Sequence, residues 1–90
     1  MWTMTKKHRD FVSEPMGHKS VRDLPGIGDV LGRKLGSQGF NKASDLLAKF
    51  LQLTQDHERF IEWLKVNVGA NAHKAKLCTQ CLQDWCDNNL

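Results

Sequence analysis

Two glycines flank one apolar residue in Gly26-Ile27-Gly28, and a stretch with helical spacing follows at once, Asp29 to Ser37, carrying Arg33 and Lys34. Glycine can take positive φ and lets backbone come close to a ligand. The first N–H groups of a helix have no intrahelical partner and sit at the positive end of its dipole. A glycine turn feeding such a helix start is therefore built to hold an anion such as a phosphate oxygen. Ile27 is expected to anchor the turn in the core, and Arg33 and Lys34, one turn further on, add charge. A grip of this kind touches phosphate and not base edges, so it carries no direct sequence information.

Gly-x-Gly alone is a weak signal and fits a plain turn between two helices. Here Leu24, Leu31, Leu35 and the closing Gly39-Phe40 all stand at compatible spacing. The segment from Val21 to Phe40 resembles the helix-hairpin-helix motif, a backbone reader of DNA that in other settings mediates protein contacts.

The surrounding elements must position this hairpin. Thr5 to Ser13 reads as a short helix with Phe11 and Val12 inward, stopped by Pro15 because the residue before proline resists the α conformation. Ser20 or Asp23 starts the next short element. Asn41 is the expected N-cap of a helix whose apolar stripe is Ala43, Leu46, Leu47, Phe50 and Leu51. Thr54 or Asp56 caps a helix with Phe60, Ile61, Leu64 and Val68 on one face and Trp63 beside them. Gly69-Ala70 breaks it, and Asn71 caps a last helix lined by Ala75, Cys78, Cys81, Leu82 and Trp85. No segment alternates with β-branched residues, so no sheet is expected. The predicted fold is all-α, a compact bundle of about five short helices forming a single domain over residues 1–90, with the helix-hairpin-helix at about 20–40 and a flexible tail at 1–4.

Ninety residues support only a thin core, so a partner chain would add to it. The net charge of +3 permits a polyanion partner without demanding one. The N-terminal MWTMTKKHRD has no secretory pattern, and no apolar run suits membrane insertion. Cys78, Cys81 and Cys86, an odd number, read as free thiols of a reducing compartment, cytosol or nucleus. With His73 they invite a zinc site, but they fall on a helix stripe where cysteine serves as a small buried apolar residue. No metal, no cofactor and no catalytic residue is assigned: His8, His18 and His57 have no nucleophile or carboxylate pattern around them.

Several further words occur in order: Lys7-His8-Arg9-Asp10-Phe11-Val12, Glu14-Pro15-Met16-Gly17, Gly26-Ile27-Gly28, Gly39-Phe40, Glu62-Trp63-Leu64-Lys65, Gly69-Ala70-Asn71-Ala72, Cys81-Leu82 and Asp84-Trp85-Cys86-Asp87. Together they resemble the barrier-to-autointegration factor family, from about Lys7 to the end of the chain. The resemblance implies a helical homodimer that binds double-stranded DNA without sequence preference and bridges duplexes. It also implies roles in chromatin and nuclear envelope assembly, LEM-domain proteins and lamin as partners, and a nuclear location with some protein in the cytoplasm. Carried over by position, DNA contacts fall on Lys6, Lys7, Gly26, Ile27, Gly28, Val30, Leu31, Arg33, Lys34, Asn71, Ala72 and His73. His73 stands where the family has lysine, and Lys74 follows it.

The chain departs from the family pattern elsewhere. Thr3 and Thr5 replace adjacent Thr and Ser phosphorylation sites; added phosphate beside Lys6 and Lys7 would repel DNA. The face assigned to a dimer or partner comprises Leu47, Ala48, Leu51, Gln52 and Trp63. There Ala48 replaces a glycine, Gln52 an apolar residue and Thr54-Gln55 a lysine pair. The alternative to a DNA-bridging dimer is thus a protein-interaction adaptor of the same family with altered LEM-domain or DNA binding. An enzyme is the weakest reading, because no second domain is left to form a base pocket. The intact hairpin favours DNA.

Overall fold

A computed structural model describes residues 5–90, and five α-helices with one 3₁₀ turn make up its regular structure. Thr3 and the predicted tail at 1–4 lie outside the described residues. Helix α1 spans Lys6–Ser13, and the Thr5 hydroxyl caps it by accepting from the His8 N–H at 3.1 Å. The 3₁₀ turn covers Val21–Asp23 and begins in a reciprocal cap: Ser20 Oγ accepts from Arg22 N–H, and Asp23 Oδ2 accepts from Ser20 N–H at 3.0 Å. Helix α2, Asp29–Ser37, has the bounds expected from sequence.

Helix α3 spans Ala43–Gln52, and its start corrects one expectation. The N-cap is Lys42, not Asn41. The Asp45 carboxylate accepts from both the Lys42 N–H at 3.0 Å and the Asn41 N–H at 3.2 Å. Asn41 instead lies against α2: a Cβ added at Gly36 would stand 2.9 Å from its Oδ1. Asp56 caps α4, His57–Val68, and Gly69 ends it in the left-handed region at φ 72°. Asn71 caps α5, Ala72–Asn89, which at 18 residues is far from short.

Among the described residues there is no strand beyond an isolated bridge between Ser20 and Lys42. Helix α5 is the spine, packed against both α1 and α4. One continuous cluster forms the core, with Leu24, Leu35, Leu46, Phe50, Phe60, Leu64 and Leu82 wholly buried. The α1–α5 seam adds polar clasps: Trp85 Nε1–H donates to the Glu14 carbonyl at 2.9 Å, and His8 Nε2 lies 2.9 Å from Asp84 Oδ2. The Asn88 and Asn89 amides both donate to the Val12 carbonyl. Among the described residues, no helix is long and apolar enough to cross a membrane.

Candidate nucleic-acid interface

The hairpin is a type II turn. Ile27 N–H donates to the Leu24 carbonyl at 3.1 Å, Pro25 holds the second position, and Gly26 takes φ 86° at the third. Ile27 is buried, so its side chain anchors the turn and only its backbone can meet a ligand. Gly28 is the N-cap of α2 with extended backbone and no side-chain cap. The first intrahelical bond runs from Gly32 N–H to the Gly28 carbonyl, which leaves the N–H groups of Asp29, Val30 and Leu31 ahead of it for a ligand.

A second helix start stands across from the first. Asn71 Oδ1 accepts from the Lys74 N–H at 2.8 Å, and Ala75 N–H makes the first helical bond of α5 to the Asn71 carbonyl. The N–H groups of Ala72 and His73 precede that bond. Between the two helix starts lies a cleft of about 270 Å³. Val30, Leu31 and Lys34 form one wall; Gly69, Ala70, Asn71 and Lys74 form the other. Val30 is exposed despite being apolar, and Lys34 Nζ would lie 3.6 Å from a Cβ added at Gly69. Two positive dipole ends and two ammonium groups therefore converge on one concavity, an arrangement suited to a polyanion backbone.

The remaining sequence candidates divide. His73 does not line this cleft; it borders the groove between α4 and α5 with His57, Ile61 and Leu77, and Lys74, one position on, takes the cleft wall. Arg33 is exposed on α2 outside the cleft, and Lys6 is exposed at the start of α1. Lys7 lines a separate depression beside Asp10, Lys19 and Asp23, on the 3₁₀ side of the hairpin. Thr5 is exposed while acting as cap.

On the candidate partner face, Leu47 is buried within the protomer's own core, whereas Ala48, Leu51 and Gln52 are exposed. Trp63 is half-buried, edge-on to Phe40 with ring centroids 5.1 Å apart, and Lys49 Nζ lies 5.3 Å from its centroid. Trp63 also lines an open groove of about 430 Å³ with Leu53 and Val66. The three thiols are buried. Burial raises all three; Cys81 is pushed up to about 12, with Asp84 adding to the rise and Lys7 opposing it. Among the described residues, no group of three or more His, Cys, Asp or Glu side chains is placed to hold a metal ion.

Comparison with known proteins agrees over nearly the whole chain. The family model described as Barrier to autointegration factor matches residues 2–89. The chain is 54% identical over 85 residues to the Homo sapiens barrier-to-autointegration factor, covering 94% of this chain and 96% of that protein. Identity to the Danio rerio protein is 51% over 90 residues, the full length of both. With the Drosophila melanogaster protein it is 45% over 86 residues, 96% of each. Helix order, glycine hairpin and capped α5 thus sit within a match that leaves almost no residue outside it, and the chain belongs to the barrier-to-autointegration factor family.

Proposed function

We propose that this protein is a non-enzymatic, single-domain binder of double-stranded DNA that acts as a homodimer and bridges duplexes without reading their sequence. The observation that supports this most is the convergence of the α2 and α5 N-termini, with Lys34 and Lys74, on one cleft. Phosphate oxygens accept from the orphan N–H groups, and the ammonium groups neutralise the charge that remains. The contacts belong to Gly26, Gly28, Val30, Leu31, Lys34, Asn71, Ala72 and Lys74, with Lys6, Lys7 and Arg33 as outlying cations. His73 contributes its backbone N–H. One cleft per protomer gives a two-fold dimer two DNA sites.

Family membership supports a nuclear protein of chromatin and the nuclear envelope, with some present in the cytoplasm. It also supports LEM-domain proteins and lamin as partners. Exposed Leu51 on α3, and exposed Val66 beside half-buried Trp63 on α4, suit a protein contact, with a second copy first. Phosphate at Thr5 would weaken DNA binding by placing negative charge beside Lys6 and Lys7.

The test mixes two differently labelled duplexes of unrelated sequence with the protein and recovers one by pull-down. Bridging brings the second label along. Binding of each duplex without co-recovery leaves a coat protein on single duplexes. No binding to either, with the protein folded, leaves the adaptor reading.

A further inference from the structure

We infer that Arg22 is a phosphate-binding residue on the outer flank of the hairpin; this rests on the DNA-binding reading. Arg22 lies in the 3₁₀ turn, and its side chain runs across α2 through a notch left by Gly32. A Cβ built at Gly32 would stand 2.6 Å from Arg22 Cγ and 2.7 Å from its Nε, so only glycine leaves this path open. The path carries Nε to 3.9 Å from Asp29 Oδ1, at the first residue of α2. Asp29 is the one acidic residue in that first turn, beside the N–H groups that await an anion.

The Arg22–Asp29 pair is too loose to be a structural strut. Its side chains are 51% and 88% exposed, and exposed pairs at the edge of contact distance contribute little to stability. A planar guanidinium with several free donors, held at a phosphate-binding helix start, is instead suited to a bidentate grip on a phosphate oxygen pair. It also offsets the carboxylate that would otherwise repel the strand. Lys34 and Lys74 border the cleft on the inner side of α2, and Arg22 reaches the same helix end from the opposite side. A DNA strand crossing the α2 N-terminus is then held from both flanks.

The experiment measures the salt dependence of duplex binding for the intact protein, Arg22→Gln, Gly32→Ala, and Lys34→Gln as a reference, with thermal melting of each free protein. Arg22→Gln is expected to weaken binding severalfold and to reduce the slope of log K against log salt by about 0.9, the share of one phosphate contact. Gly32→Ala keeps every charge but displaces Arg22 from its notch, and is expected to weaken binding in the same direction with melting unchanged or raised. A slope unchanged in Arg22→Gln while Lys34→Gln lowers it would overturn the role of Arg22 and leave DNA binding intact. A drop in melting temperature with no change in slope would make Arg22 a strut and overturn the inference equally. Failure of the intact protein to bind duplex DNA would remove the underlying reading itself.

Discussion

Gly26 stands directly against the carbonyl of Lys74: a Cβ added at Gly26 would lie 2.5 Å from that oxygen. The turn that starts one helix is thus seated on the first turn of another, and the two walls of the cleft share this contact. Substitution at Gly26 acts on folding before it acts on DNA. The φ of 86° alone costs a non-glycine residue about 1–2 kcal/mol, and the backbone contact adds to that. Gly26→Ala is expected to lower urea-denaturation stability by at least this amount and to weaken DNA binding with it.

Gly28 offers the cleaner probe. It has extended backbone, and nothing lies within 4 Å of an added Cβ. Gly28→Glu is expected to melt close to the parent protein yet lose duplex binding in a mobility shift, because its carboxylate occupies the α2 N-terminus. Retained binding by this folded variant would show that the hairpin is not the DNA site.

Duplex affinity should fall steeply with salt and ignore sequence. With roughly three to five phosphate contacts per site, the slope of log K against log salt is expected near −3 to −5. Lys74→Ala should reduce it by about one, while His73→Ala should leave it unchanged. Strong discrimination among duplexes of equal length would point to base-edge contacts.

Light scattering at micromolar concentration should give twice the 10.3 kDa protomer mass. Leu51, 40% exposed, is the residue to alter: Leu51→Glu is expected to stay helical and to scatter as a protomer. Leu47→Glu should instead unfold, since Leu47 is 9% exposed within the core and an unpaired buried carboxylate is costly.

The thiols predict an alkaline limit. Their folded-state values lie above the ordinary 9.0, and that of Cys81 is about 12. Burial thus favours the protonated form, so its contribution to stability is complete below pH 9 and is lost as pH rises from there towards 12. Unfolding free energy should decline across this range, and Cys78→Ala-Cys81→Ala should flatten the decline. Iodoacetamide at pH 8 should label the native thiols slowly and the urea-unfolded thiols fast.

Local chemistry made much of this legible. The bounds of α2 and the caps Ser20, Asp56 and Asn71 depend on residues within a few positions of one another, whereas Thr5, expected inside α1, caps it instead. What escaped depends on a choice between adjacent residues, on neighbours far along the chain or on a rotation of one residue. Asn41 looked like a cap because its type suits one, yet Asp45 serves both adjacent N–H groups. His73 and Lys74 differ by one step around α5, about 100°, and only the placement of α2 and α4 decides which faces the cleft. Leu47 and Leu51 share a helical stripe, but α3 turns one of them outward. The Arg22 path over Gly32 joins residues that no periodicity links.

The clasps between α1 and the end of α5 carry a consequence for synthesis. Glu14 to Trp85 and Val12 to Asn89 are separated by 71 and 77 positions, so α1 leaves the ribosome first and finds its partner last. Loops of this length close late, after contacts nearer in sequence have formed. The hairpin and its seat on Lys74 are nearer in sequence than the clasp partners are, so the two walls of the cleft meet before α1 docks on the end of α5. In that interval the exposed apolar face of α1 is the part of the molecule open to chaperones and to mispairing with a neighbouring chain.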